Sequence, residues 1–395
     1  MRLPLGNIKI LDLTRVLAGP FATMILADLG AEIIKIEIPV KGDDARHFGP
    51  YINGESAYFM SLNRNKRSMT LNLKDEKGKE IFLELVKKVD IVVENYRPGT
   101  MERLGIGYEV LSKINPKLIY ASTSGYGHTG PYSERAAYDA VVQAMGGIMS
   151  ITGEKDGKPT RVGTSIGDIT AGLFTAIGIL AALNTRYEMG IGQKVDVAML
   201  DCQVTILENA IARYIVTGEI PKPGGNRHPS IVPFEPFKTK DGEIMVAVGN
   251  DALWREFCKV IGKEELIQDE RFKTNPLRNE NYDILRPLIS ESILNKTTEE
   301  WQHRLDGVGV PNGPINTIDK VLENPQIIAR DMIIELDHPV AGKLKVPGIP
   351  IKLSHTPGKI RRTSPVLGEH TFEILKGLLN YNEKQINELK KENII

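Results

Sequence analysis

Cysteine is nearly absent from this chain: Cys202 and Cys258 stand alone among 395 residues, too few for a disulfide scaffold. That scarcity suits a reducing compartment and points to the cytoplasm, with both thiols read as buried small hydrophobes. An excess of either charge is missing as well, since 50 Lys and Arg face 50 Asp and Glu. A chain without net charge sets up no global field for nucleic acid or anionic lipid. Neither is expected as a partner, and any phosphate-bearing ligand must be held by local cations. No basic-then-apolar leader precedes the first strand signal at Ile8. The apolar stretch Ala171–Leu183 falls short of the ~20 residues that a bilayer demands and reads as a core helix, so no membrane partner is expected. The chain also lacks a Gly-x-Ser-x-Gly elbow, a His-Glu-x-x-His pair, a Cys-x-x-Cys pair and a phosphate-cradling P-loop. Serine-hydrolase and metal-dependent readings therefore have little support, and no metal is expected.

What is present begins with alternation. Strand signals at Ile8–Leu13, Ala31–Glu37, Ser68–Leu73, Asp90–Asn95 and Leu118–Ser122 alternate with helical segments at Pro20–Leu29, Lys77–Val89 and Tyr108–Ile114. This pattern predicts an α/β fold with a doubly wound, Rossmann-like parallel sheet, whose ligands collect where strands end and loops begin. At 395 residues the chain exceeds the ~250–300 at which single cores stop growing, so two domains are expected. A Pro-Gly cluster at Pro221–Gly225 marks the change, and a hairpin about Lys240-Asp241-Gly242 leads into helices. The expected division is a large α/β domain over 1–215, a small α+β domain over 216–311, and a return segment over 312–395 that completes the large domain.

Polar loops follow several of the strands. Arg15-Val16-Leu17-Ala18-Gly19-Pro20 combines a cation with small residues that admit a ligand close to the backbone. Asn63-Arg64-Asn65-Lys66-Arg67 holds three cations, and Asn95-Tyr96-Arg97-Pro98-Gly99 is followed by Arg103. Arg and Lys at such places suit phosphate, although each cluster taken singly reads more readily as a solvated loop. His128, in the Gly-rich stretch Ser122–Tyr132, is a candidate general base, but a lone His in such a loop is more often exposed. Asp168 stands at the foot of the apolar run. It is either the N-cap of that helix, the commonest task for such a residue, or a nucleophile ionised at neutral pH.

Taken in order, Leu11–Pro20, Asn65-Lys66-Arg67-Ser68, Val93–Gly99, Gly167-Asp168 and Pro365–His370 resemble the class III CoA-transferases over essentially the whole chain. That family includes formyl-CoA and carnitine CoA-transferases and the α-methylacyl-CoA racemases. The resemblance implies Asp168 as the nucleophile of a CoA-transferase working through aspartyl anhydride and aspartyl-CoA thioester intermediates. Coenzyme A or its acyl thioester is then a substrate rather than a permanently bound cofactor, and small carboxylic acids are the other partners. By position, the family's CoA contacts fall on Leu17, Ala18, Leu71, Asn72, Leu73, Lys74, Asn95, Tyr96, Arg97, Arg103, Ala136, Ala137, Tyr138 and Asp139. Gly224 and Gly225 are a candidate flap or source of oxyanion donors, or else an interdomain turn. Some members carry Arg where this chain has Ile38, so the adenine-side role of that Arg is either unfilled here or taken by a cation such as Lys35 or Arg46. The resemblance further implies a homodimer of interlocked rings.

Within the family three readings compete: a transferase, a racemase or other acyl-CoA isomerase, and a catalytically silent acyl-CoA binder. Racemases carry a His-Asp dipeptide where this chain has Tyr138-Asp139, and a phenol with a pKa near 10 is a poor base at neutral pH. Tyr138 thus speaks for transfer over racemisation, and an intact Asp168 speaks against a silent binder. The stretches Asn226–Pro229, Phe234–Phe237 and Val248–Asp251 look most like members that move CoA between dicarboxylates, with succinyl-CoA as a donor.

Overall fold

The computed structural model describes residues 3–395. Its first strands are β1 (Lys9–Asp12) and β2 (Glu32–Glu37), followed by a small hairpin of β3 (Tyr51–Ile52) and β4 (Glu55–Ser56). Then come β5 (Lys66–Thr70), β6 (Ile91–Glu94), β7 (Ile119–Ser124) and β8 (Lys194–Ala198). Apart from the hairpin, these strands form one six-stranded sheet in the order β5-β2-β1-β6-β7-β8. Every pairing in it is parallel. The chain builds outward from β1 in one direction, then returns to β6 and builds outward in the other. Between β1 and β6 lies the switch point at which open parallel sheets leave a crevice beyond their carboxyl ends.

The helices of this region are α1 (Ala18–Asp28), α2 (Ala57–Leu62), α3 (Glu76–Val86), α4 (Thr100–Arg103), α5 (Tyr108–Ile114), α6 (Asp139–Met145), α7 (Ile148–Ile151), α8 (Ile166–Met189), α9 (Met199–Thr205) and α10 (Asn209–Thr217). On one sheet face Leu11, Ile34, Met69, Val92 and Tyr120 pack with Phe82 and Leu85 of α3. On the other, Ile10, Ile33, Ile91, Val93 and Ile119 pack with Leu26 of α1 and Ile179 of α8. Neighbouring residues of one strand thus enter different cores, which is why these strands read as nearly unbroken apolar runs. The α/β parallel sheet expected from the alternation is the one observed.

Helix α8 differs from its expected form. It begins at Ile166 and runs 24 residues, so by length and composition alone it is long and apolar enough to cross a membrane. The shorter expected span covers only the uncharged stretch, whereas the helix continues through Arg186 to a left-handed cap at Gly190. Its inner side packs on α1, β7 and β8. Gly172 allows the close crossing of α1, because a Cβ there would lie 2.7 Å from the Ala18 carbonyl oxygen.

The described residues up to Met149, with Arg161–Gly218 and Gln326–Ile395, form one compact unit; Ser150–Thr160 and Glu219–Pro325 form a second. The second has an antiparallel sheet of β9 (Phe234–Lys238), β10 (Glu243–Ala247) and β11 (Asn312–Pro314). Helices α11 (Asp251–Val260), α12 (Glu265–Gln268), α13 (Asn275–Glu280), α14 (Tyr282–Ile293) and α15 (Thr298–Asp306) complete it. Its core gathers Phe237, Ile244, Trp254, Phe257, Phe272 and Trp301. Compared with the expected span of 216–311, this unit runs on past Pro311 because β11 adds a third strand to the hairpin, Gly313 opposite Met245. Ser150–Thr160 joins it through the Gly225 N–H, which donates to the Gly153 carbonyl at 2.9 Å.

After the hairpin of β12 (Ile333–His338) and β13 (Gly342–Pro347), the chain comes back to the sheet edge at β5. There the His370 N–H reaches the Ser68 carbonyl at 2.9 Å, and the Thr70 N–H donates to Thr371 Oγ1 at 3.0 Å.

Candidate active site

The loops that leave β1 and β6 are joined as one piece. The Arg15 N–H donates to Asn95 Oδ1 at 2.7 Å, and Asn95 Nδ2 donates back to the Arg15 carbonyl at 2.8 Å. Next in the chain, Val16 has φ 66°, a left-handed conformation that is costly for a β-branched residue. It is held by its N–H bond to Asp43 Oδ1 at 3.1 Å. Beneath the loops lies a buried network of charge. Lys66 Nζ meets Asp12 Oδ2 at 3.0 Å, and Lys35 Nζ meets Asp43 Oδ2 at 2.8 Å. Burial opposes ionisation of Asp12, but the neighbouring ammoniums of Lys66 and Lys35 prevail and hold its carboxyl below the usual range. Burial brings Lys66 down to about 8.

This network corrects two expectations. Arg64, Lys66 and Arg67 are not a phosphate cluster, because they are ion-paired inside the fold with Asp28, Asp12 and Glu32 respectively. Nor is Lys35 or Arg46 free to stand in beside Ile38, since Lys35 is fully buried on Asp43 and the Thr14 carbonyl, and Arg46 is paired with Glu37. In both cases neighbouring carboxylates of the same fold take up the cations.

Above the network, at the switch point, is a cavity of about 270 Å³. Leu17, Ala18, Asn95, Tyr96, Arg97, Ala136, Ala137, Tyr138 and Asp168 line it, and all nine were singled out from the sequence. Arg15, Val16, Asp44, Thr123, Ser124, Arg135 and Met199 complete most of the wall. The Arg15 guanidinium is paired with Asp44 at 3.1 Å and lies 4.9 Å over the Tyr96 ring, while Arg135 stacks on Tyr132 at 3.9 Å. Neither Arg97 nor Arg135 is in an ion pair among the described residues.

Asp168 is the third residue of α8, not its cap. The capping bond is made by Asp139 of α6, whose Oδ1 accepts the Gly167 N–H at 2.8 Å and whose Oδ2 takes Gln143 Nε2 at 2.8 Å. Asp168 therefore has no structural bond to maintain, and among the described residues no donor meets its carboxylate. Burial, helped by the nearby Asp139, pushes its pKa up to about 7. Full ionisation at neutral pH, expected from the ordinary value, thus gives way to a substantial protonated share. Burial also pushes the Tyr58 phenol up to about 12, with Asp168 the foremost of the carboxylates acting on it.

Other residues named from the sequence lie elsewhere. Leu71 is buried in the core beside β5, Asn72 donates its N–H to the Ile394 carbonyl, and Leu73 packs against the same core. Lys74 and Arg103 are exposed, the latter donating to Thr100 Oγ1 at 2.9 Å. Gly224 and Gly225 belong to the second unit, where the Gly225 N–H is already spent on Gly153 and is no free oxyanion donor. His128 is not exposed: its side chain is 10% accessible and its Nδ1 lies 3.0 Å from Lys194 Nζ. Tyr58, Asp44, Arg135 and Met199 were missed from the sequence, each reaching the site through tertiary packing rather than a local motif. Among the described residues no group of three His, Cys, Asp or Glu is placed to hold a metal.

The family described as CoA-transferase family III matches residues 5–371. The human succinyl-CoA:glutarate CoA-transferase is 44% identical over 393 residues, covering 99% of this chain and 90% of the relative. The acetyl-CoA:oxalate CoA-transferase of Acetobacter aceti is 46% identical over 352 residues, 89% of either chain. A crystal structure of a CAIB/BAIF family protein from Brucella suis superposes with a TM-score of 0.86 at 40% identity, covering 96% of this chain and 100% of the other.

Proposed function

This chain belongs to CoA-transferase family III, and on that premise we propose that it carries CoA from succinyl-CoA to a second dicarboxylic acid with Asp168 as the nucleophile. The observation that carries the reading is an Asp168 with no structural bond, set in a cavity at the switch point while Asp139 caps its helix. The donor follows from relatives that are named for succinyl-CoA and move its CoA to glutarate, D-citramalate or mesaconate.

In the first step the Asp168 carboxylate attacks the thioester carbonyl, and the carbon–sulfur bond breaks to give a mixed anhydride and CoA thiolate. The thiolate then attacks the aspartyl carbonyl, which forms an aspartyl-CoA thioester and frees the donor acid as its carboxylate. The acceptor carboxylate attacks that same carbonyl and expels the thiolate, giving a second anhydride. Attack of the thiolate on the acyl carbonyl restores the Asp168 carboxylate and leaves the new acyl-CoA. No step consumes a proton overall, and thioester energy is kept so long as water is excluded. The CoA contacts of the reading are Leu17, Ala18, Asn95–Arg97 and Ala136–Tyr138, all on the cavity wall.

The working form of the reading is a cytoplasmic homodimer of interlocked rings, without nucleic acid or membrane. Two exposed apolar stripes support a partner copy: Leu173, Ile177 and Leu180 on α8, and Ile211, Tyr214 and Ile215 on α10. The function is tested by giving the enzyme succinyl-CoA with a panel of mono- and dicarboxylic acids and reading product masses. Hydroxylamine added with acyl-CoA should trap a hydroxamate at Asp168. Transfer retained by Asp168→Ala would overturn the mechanism, and products formed only from monocarboxylic acids would overturn the substrate class.

A further inference from the structure

One buried acid stands beside the cavity and takes no part in the chemistry above. Glu94 ends β6, directly before the cavity-lining Asn95, Tyr96 and Arg97, and its side chain is 2% exposed. Oε2 accepts the Tyr96 N–H at 2.7 Å, and Oε1 accepts the Tyr120 hydroxyl at 3.3 Å. Among the described residues no Lys or Arg is paired with it. The nearest cationic candidate is His128, whose Nε2 lies 3.8 Å from Oε1. An ammonium has only hydrogens to offer, so Lys194 Nζ, 3.0 Å from His128 Nδ1, makes that nitrogen the acceptor. The imidazole proton then sits on Nε2, facing Glu94. The His128 N–H is in turn fastened to Asp196 Oδ2 at 3.0 Å, and the stretch it ends starts at the cavity wall with Ser124 and Gly125.

We propose that Glu94 is a positioning residue for the CoA site: a buried acid set between the Asn95–Arg97 loop and the His128 loop, whose ionisation weakens CoA binding. The inference rests on the placement of CoA against Asn95–Arg97 given above. A neutral group at this depth leaves the charge of Arg97, which is in no ion pair among the described residues, undiminished for a polyanionic nucleotide. A carboxylate there would set a negative charge at the foot of the loop that carries Arg97, screened by little water.

The surroundings keep the acid neutral. Burial pushes Glu94 up to about 8; Glu102 adds to this, while the Tyr96 N–H, the Tyr120 hydroxyl and Lys194 oppose it. Burial and Lys194 hold His128 below its ordinary range despite Asp196 and Glu102, so no imidazolium compensates the acid at neutral pH. Tyr96 and Tyr120 are both raised, chiefly by burial, and stay neutral throughout the range in question.

The test is calorimetric titration with desulfo-CoA, which lacks the thiol that would ionise in the same range. For wild type the Kd should rise about tenfold between pH 6.5 and 9. By linkage, binding near pH 8 should take up protons, read from the dependence of the heat on buffer ionisation. Glu94→Gln keeps an acceptor for the Tyr96 N–H and is permanently neutral, so its Kd should match wild type at pH 6.5 and, on an Asp168→Asn background that removes the cavity carboxylate titrating near 7, stay within about twofold at pH 9. A wild-type Kd that does not change with pH overturns the proposal without any variant. So does a Glu94→Gln profile that still rises like that of wild type on that background, which would assign the titration to another group such as Lys66. Arg97→Ala separates the premise from the inference: wild-type affinity in that variant means that CoA lies elsewhere. Weakened binding there, with an unaltered Glu94→Gln profile, removes the role of Glu94 alone.

Discussion

At the scale of single residues, the division of labour between Asp139 and Asp168 underlies the proposed chemistry. Because burial and then Asp139 raise Asp168 to about 7, kcat/KM for acyl-CoA should climb with pH through an inflection near 7 rather than near 4. Asp139→Asn keeps an oxygen for the Gly167 N–H and removes the second negative charge, so the inflection should move to lower pH. A pH–rate profile that stays put or moves upward would show that Asp139 acts only as a cap. The same shift has a stability sign. Between 3.8 and about 7 the folded chain holds a proton on Asp168 that the unfolded chain has released, so this group lowers stability as pH rises through that window. Tyr138 carries a separate expectation. Incubating a 2-methylacyl-CoA in deuterated water should give no enzyme-dependent α-deuterium, since a phenol is a poor base at neutral pH. Rapid exchange would restore the racemase reading.

At the scale of elements, the close crossing of α1 and α8 couples the core to the position of Asp168. Gly172→Ala places a methyl 2.7 Å from the Ala18 oxygen, with Phe21 next nearest. The crossing must open, at a cost of about 1–3 kcal/mol, which urea denaturation would measure. A loss below about 0.5 kcal/mol would mean that the pair separates freely. Elements also show what a sequence discloses. The strands β1, β2, β6 and β7 were legible because two buried faces make their residues apolar without interruption. Strand β8 (Lys-Val-Asp-Val-Ala) went unseen because it lies at the sheet edge and only Ala198 in it is buried. The cap of α8 stayed unassigned in the sequence because the Asp139–Gly167 bond spans 28 residues, beyond any local window. His128 was misjudged likewise, its neighbours Glu94 and Lys194 being distant in the chain.

At the scale of the whole molecule, the apolar stripes of α8 and α10 bear on the proposed assembly. If a second copy covers them, wild type should sediment as a dimer at micromolar concentration. Ile177→Glu, at a position 58% exposed in the single chain, should shift it toward monomer while the monomer stays folded. A monomeric wild type would end that reading. The return of the chain to β5 has a consequence of another kind, for synthesis. β5 is an edge strand, and open edges pair promiscuously with other chains. Its partners on that edge, the His370 N–H and the Thr371 hydroxyl, arrive late in the chain, Thr371 lying 301 residues after Thr70. At ~5–20 residues per second, the ribosome leaves that edge uncovered for about 15–60 s. The nascent chain therefore passes through a long interval in which a sheet already able to form has one side unguarded, and the vulnerable species in the cell is the unfinished protein rather than the finished one.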